Sequence, residues 1–166
     1  MQYNINDSNQ VAKQASQDIE VWLRSLPQTS AVVNVEHDPA YWKRDIDLIL
    51  TTDKGVFNLE VKGDRWHKSG NFFFETHSNQ ERGTPGCFLY TEADWICYYF
   101  VTTRILYLLP MPETRDWFLA CQNGRFQEKT TTTKVRDTFY TTVGRLVPIK
   151  IAKSEVAGRK IRKLKL

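Results

Sequence analysis

The stretch Asp45-Ile46-Asp47-Leu48-Ile49-Leu50-Thr51-Thr52-Asp53-Lys54-Gly55-Val56-Phe57-Asn58-Leu59-Glu60-Val61-Lys62 decides the fold. Its first part alternates: Ile46, Leu48 and Leu50 fall on one face, and Asp45, Asp47 and Ile49 on the other. Such a period of two is the signature of a strand. Thr51 to Gly55 is rich in turn formers. From Val56 the alternation resumes, with Phe57, Leu59 and Val61 on one face and Val56, Asn58, Glu60 and Lys62 on the other. The pattern predicts a β-hairpin over 45–62.

Upstream, Val11, Ala15, Ile19, Trp22, Leu23 and Leu26 recur at helical spacing, which predicts a helix over 9–26. Asp7 or Ser8 is placed to cap its start and Pro27 to end it. Ala31 to Val35 reads as a short strand. Downstream, Gly63 is read as ending the hairpin's second strand and opening a polar loop to Asn71, followed by a strand at Phe72 to Glu75. Gln80 to Gly86 reads as a loop. Ala93, Ile96, Cys97 and Phe100 share helical spacing, so 92–103 is assigned to a helix, and Trp95, Tyr98, Tyr99 and Phe100 to the core. A strand at 104–109 and an amphipathic helix at 112–121 follow, the latter with Pro112 in its first turn. The Thr130 to Thr133 run reads as a loop or strand edge, and 142–151 as a last strand. The order predicts one α/β domain over 1–152, with a mixed central β-sheet flanked by helices, and a basic C-terminal segment over 153–166.

Composition narrows the function classes. With 166 residues, 41% hydrophobic and 13% aromatic, the chain can bury a sizeable core. No apolar run approaches the ~20 residues of a membrane helix, and Met1 to Gln10 is polar, so no membrane partner and a cytoplasmic location are expected. Cys87, Cys97 and Cys121 form no CxxC, and His37, His67 and His77 have no metal-ligand spacing, which argues against a zinc ribbon or a redox motif. The net charge of +4 is unevenly placed. Lys153, Arg159, Lys160, Arg162, Lys163 and Lys165 stand against Glu155 alone, which leaves +5 in the last fourteen residues and −1 over the other 152. Such a segment can neutralise phosphates or simply solvate the surface.

Three charges fall on the hairpin where charges are unwelcome. Asp47 interrupts an apolar strand, and Glu60 and Lys62 share a face around Val61. Carboxylates that converge repel unless a cation or proton lies between them. Their hard oxygens suit Mg²⁺, with Mn²⁺ as a substitute, and a neighbouring lysine can hold a water or stabilise charge growing on a phosphate.

Asp47, followed thirteen positions later by Glu60-Val61-Lys62, resembles the PD-(D/E)xK nuclease superfamily, which has the restriction-endonuclease-like fold. The resemblance spans about residues 9 to 110. It implies a Mg²⁺-dependent deoxyribonuclease, endonuclease rather than exonuclease, acting on DNA, with a homodimer where both strands are cut. By that resemblance Asp47, Glu60 and the Val61 carbonyl bind the metal and Lys62 assists the attacking water. Ile46 replaces the family's proline, which leaves Asp45 as a rival to Asp47. Glu20, from the first helix, and Glu75, on the third strand, are further acidic candidates. Gly70 to Glu75, Ser78-Asn79, Gly83 to Gly86 and Ala93-Asp94 look like uncharacterised, often phage-borne, members of the same superfamily. Lys43, Arg44, Arg65, His67 and Lys68 flank the hairpin and are candidates for DNA phosphate contacts, with Trp42 and Trp66 as stacking candidates.

Overall fold

The computed structural model describes residues 2–121, 124–135 and 138–166, with side chains from Ile5 onward. The predicted hairpin forms. Strands β3 (Leu48–Thr52) and β4 (Gly55–Asp64) pair in the antiparallel register Leu48↔Leu59 to Thr52↔Gly55. Strand β2 (Thr29–Asn34) adds to the outer edge of β3. On the other side of β4 lies β7 (Trp95–Phe100), paired parallel to it, then β8 (Ile105–Pro110) and β11 (Arg162–Lys165). The result is a mixed six-stranded sheet in the order β11-β8-β7-β4-β3-β2.

Helix α1 (Ile5–Ser25) starts four residues earlier than its apolar spacing predicts, so Asp7 and Ser8 lie inside its first turn instead of capping it. There Asp7 still meets the positive end of the helix dipole. The buried face of α1 (Ala15, Ile19 and Leu23) joins Leu48, Leu59, Cys97, Tyr99 and Leu106 in one apolar cluster on the sheet. Gly63 does not end β4. A Cβ at Gly63 would lie 2.9 Å from both Ala15 Cβ and Val11 O, so glycine is what lets α1 approach the strand. The buried Tyr99 hydroxyl donates to Asp18 of α1 at 2.8 Å.

The segment expected to be a helix at 92–103 is strand β7 instead. Trp-Ile-Cys-Tyr-Tyr-Phe is buried on both faces of the sheet. Ile96, Tyr98 and Phe100 enter one core cluster, and Cys97 and Tyr99 the other. A strand covered on both faces reads as a continuous apolar run, and its β-branched and aromatic content then decides against helix.

A second sheet covers the face of β7 that α1 does not. Its order is β1-β9-β10-β5-β6, with β1 (Gln2–Asn4), β9 (Gln127–Val135), β10 (Thr138–Pro148), β5 (Asn71–Asn79) and β6 (Thr84–Pro85). The threonine run is thus central to β9, and the strand expected at 142–151 is β10, which runs from 138 to 148 and is not the last. Phe72 and Phe74 of β5 pack with Phe88, Tyr98, Phe100, Tyr107 and Phe118. Between the sheets, the Tyr98 hydroxyl donates to Asp64 at 2.6 Å and accepts from the Phe73 N–H at 2.9 Å. Helices α4 (Glu113–Ala120) and α5 (Ile149–Glu155) close this core. Helix α5 runs across the expected boundary at 152, and the basic segment is partly structural: Val156 and Ile161 are buried, and β11 is the edge strand of the main sheet. Among the described residues no helix is long and apolar enough to cross a membrane.

Candidate active site

The chain reverses at Asp45, which adopts a left-handed φ of 54°. This position is tolerated by Asp but uncommon for any side chain. The alternating strand expected from Asp45 therefore starts only at Leu48. Two residues after the reversal, Asp47 N–H donates to Leu59 O at 2.9 Å, and Asp47 O accepts from Val35 N–H at 2.8 Å. These bonds extend the hairpin ladder by one step and set the Asp47 side chain beside that of Glu60, to which it is hydrogen-bonded. The other anchor is the Val61 N–H, which donates to Asp47 Oδ2 at 2.9 Å.

Two carboxyl groups share a hydrogen bond only when one is protonated. Burial, then the charges of Asp47 and Asp45, hold Glu60 well above the usual carboxylate range. Burial also raises Asp47, but the Val61 N–H opposes it. The two carboxyls therefore hold one proton between them. Glu60 is only 8% exposed. Asp45 is pushed up to about 6, first by burial and then by the Asp47 charge. Its Oδ1 accepts from the Tyr90 hydroxyl at 3.2 Å, whereas its Oδ2 is buried with no hydrogen-bond partner.

Lys62 does not face these acids alone. Its ammonium is ion-paired with Glu75 from β5, the two side chains being 24% and 16% exposed. Burial works against the ammonium, but the Glu75 carboxylate outweighs it and holds Lys62 above the ordinary lysine range. Glu75 is thus an interior partner of Lys62. It sits near the middle of a strand that continues to Asn79, not at a strand end on the surface.

The short helix α3 (Cys87–Tyr90) adds a thiol and a phenol. Gly86 allows this, because a Cβ there would overlap the Glu75 backbone carbonyl. The sulfur of Cys87 and one carboxylate oxygen each of Asp45 and Glu60 lie within 4.8 Å of one another. Three converging donors, and a buried carboxylate oxygen with nothing to bond, fit a divalent cation. The structure thus brings together Asp45, Asp47, Glu60, Lys62 and Glu75. Sequence spacing gave no sign of Cys87 or Tyr90, which arrive only through the contact of α3 with β5. It also missed Glu36, whose charge raises Asp47; Ser16 donates to Glu36 at 3.1 Å.

Glu20 is not part of the cluster. It is held by Arg24 at 2.7 Å and by Asn34 at 3.3 Å. Of the flanking cations, Arg44 is paired with Glu92 at 2.6 Å and Arg65 donates to Asp7 O at 3.1 Å. Lys43 and Lys68 are exposed. So are Trp42 (61%) and Trp66 (49%), while His67 packs edge-on against Phe100. Register also carries the cluster's face across the sheet: Lys62, Tyr98, Tyr107 and Lys163 are successive partners on four adjacent strands. Compared with known protein families, curated sequences and solved structures, the chain matches none of them.

Proposed function

We propose that this chain is a metal-dependent nuclease that hydrolyses DNA phosphodiester bonds on a restriction-endonuclease-like core. One observation carries the reading: four carboxyl groups (Asp45, Asp47, Glu60 and Glu75) converge on one lysine where β4 meets the second sheet. Ion pairing alone needs no such excess of acid, and an uncompensated buried carboxylate is costly. Of the element order behind the resemblance, the leading helix, the hairpin and the next strand stand. The helix expected after them is a strand.

Glu60, with Asp47 and its rival Asp45, would hold Mg²⁺ or Mn²⁺, and the resemblance adds the Val61 carbonyl. An ion held there would supply Lewis-acid polarisation of a phosphoryl oxygen and a lowered pKa for a bound water. Asp47, fixed by the Val61 N–H, orients Glu60. Lys62 presents an ammonium to the charge that builds on the phosphate, and Glu75 keeps it protonated and in place. Exposed Lys43 and Lys68 would be the candidates for contacts to flanking phosphates that do not read sequence.

The test is cleavage of supercoiled and linear DNA in Mg²⁺ and in Mn²⁺. Asp47→Asn, Glu60→Gln and Lys62→Ala are each expected to lower the rate by about 100-fold or more. Undiminished cleavage by Lys62→Ala would overturn this mechanism. A second reading, a nucleic-acid-binding module without catalysis, is favoured by the burial of Glu60 and the engagement of Lys62 by Glu75. Salt-dependent DNA binding with no cleavage in either metal decides for it.

A further inference from the structure

A site for Mg²⁺ needs only oxygen donors. The cluster holds a sulfur as well. Cys87 is 8% exposed, and its thiol makes no hydrogen bond among the described residues. The other two cysteines are accounted for: Cys97 packs in the cluster beneath α1, and the Cys121 sulfur accepts from Arg125 at 3.4 Å. Cys97 also feels the charges of Glu60 and Asp47, but among the described residues it is the Cys87 sulfur that falls within 4.8 Å of carboxylate oxygens of both Asp45 and Glu60. The buried, unpartnered Oδ2 of Asp45 is a second vacant donor in the same place. Asp47, by contrast, is already bonded to the Val61 N–H and to Glu60.

The geometry points to a divalent-metal site built from Asp45, Glu60 and Cys87, whose thiol donor selects a borderline ion such as Zn²⁺ or Co²⁺ over Mg²⁺. This rests on the reading of the cluster as the metal centre of a nuclease, and it changes the assignment within that centre. Asp45 becomes the ligand and Asp47 a positioning residue for Glu60. Three protein ligands with a position left for water or substrate is the pattern of catalytic, not structural, sites. Thiolate is the donor that separates borderline ions from Mg²⁺. Coordination transfers no electrons: the S–H bond breaks, a sulfur–metal bond forms, and the proton leaves to solvent, as does the proton that Glu60 shares with Asp47.

The full chain, reduced and stripped with a chelator, is titrated with Co²⁺ alone and followed in the near ultraviolet, where thiolate-to-Co²⁺ charge transfer absorbs. A band that saturates at one equivalent is expected. Cys87→Ser should abolish it and weaken Co²⁺ binding by at least the roughly 10- to 100-fold that loss of a mere supporting group costs at such sites. Cys121→Ser should leave it intact. Absence of the band in the unaltered protein at saturating Co²⁺, or its persistence in Cys87→Ser, overturns the assignment. X-ray absorption on the Zn²⁺-loaded unaltered protein needs no variant: one sulfur at about 2.3 Å supports the site, and oxygen or nitrogen scatterers alone refute it. The two readings fail separately. DNA cleavage in Mg²⁺ by a protein lacking the band removes the thiol ligand and leaves the nuclease. The band without cleavage in any of Mg²⁺, Mn²⁺, Co²⁺ or Zn²⁺ supports the site and removes the nuclease.

Discussion

Replacing Asp45 by Asn should stabilise the metal-free protein at neutral pH, and the size of the gain follows from the site. Burial, then the neighbouring Asp47 charge, raises the Asp45 carboxyl from 3.8 to about 6. A carboxyl that binds its proton more tightly in the fold than in the unfolded chain costs nothing below about pH 3.8. The cost grows as pH rises towards 6 and is complete above it. A gap of about two pH units at ~1.4 kcal/mol each puts that cost near 3 kcal/mol at pH 7.5. Asn keeps the acceptor for the Tyr90 hydroxyl and is at ease at a φ of 54°. Its buried NH₂ needs a partner, which returns part of the gain. The expected net is about 1–2 kcal/mol, or roughly 2–8 °C in Tm for a chain of this length. The assay is urea and thermal unfolding in chelator at pH 7.5 and pH 4.5. The advantage should fall by about 2 kcal/mol at the lower pH, where Asp45 is already protonated in the fold, and so vanish or reverse. Saturating Zn²⁺ should reverse the order, because only the unaltered protein gains full linkage stabilisation from the ion. A variant no more stable than the original at pH 7.5, or one whose advantage does not depend on pH, would show that Asp45 is not a buried charge at odds with its neighbours.

Glu75→Gln leaves the Lys62 ammonium partly buried without its counterion, an expected loss of about 1–3 kcal/mol in urea unfolding. Most of that loss should disappear when Lys62→Met is added, and a coupling energy near zero in the double-mutant cycle would reduce the pair to an ordinary surface bridge. Tyr98→Phe removes the hydroxyl that joins Asp64 to the Phe73 N–H between the sheets, at an expected cost of about 1.5–3 kcal/mol. Amide exchange at Phe73 should then accelerate, and an unchanged Phe73 would mean the bridge carries no stability.

The hairpin was legible because its two halves alternate and its turn chemistry is local. Helix α1 was legible for the same reason, its apolar spacing being unambiguous over four turns. Strand β7 was not. Cover on both faces erases the alternation, and Ala93, Ile96, Cys97 and Phe100 then satisfy a helical count by accident. Gly63 looked like a stop signal, although its role is steric and belongs to α1. At the site, Asp47, Glu60 and Lys62 could be read as companions because they lie on paired strands. Glu75 could be named as an acidic candidate but not as the partner of Lys62, and Cys87 could not be named at all, since β5 and α3 reach the cluster through non-local packing. The partners of Glu20 were hidden for the converse reason: its helical position allowed an inward or an outward role, and only Arg24 and Asn34 decide for the outward one.

Several local rules fail together in one small volume. Asp45 combines an unfavourable φ, a raised carboxyl pKa and an oxygen with no partner. Glu60 shares a proton with Asp47 in the middle of a sheet, Lys62 is a partly buried cation, and Cys87 is a thiol among acids. Elsewhere among the described residues such departures stand singly, as the φ of 53° at Arg104 and the unpartnered Thr29 Oγ1 do. The Tyr98 and Tyr99 hydroxyls are bonded, and Gly63 and Gly86 stand where contact requires them. A fold stabilised by an aromatic interior between two sheets can tolerate a few kcal/mol of local conflict. Replacing the ion pair with apolar residues would often be neutral or better for stability, so stability does not explain why these charges are there. Conflict concentrated in residues that converge on one point is the pattern expected of a site kept for its chemistry. A dication would relieve the acidic part of it, offsetting the carboxylates, engaging the idle oxygen and taking the thiol as thiolate.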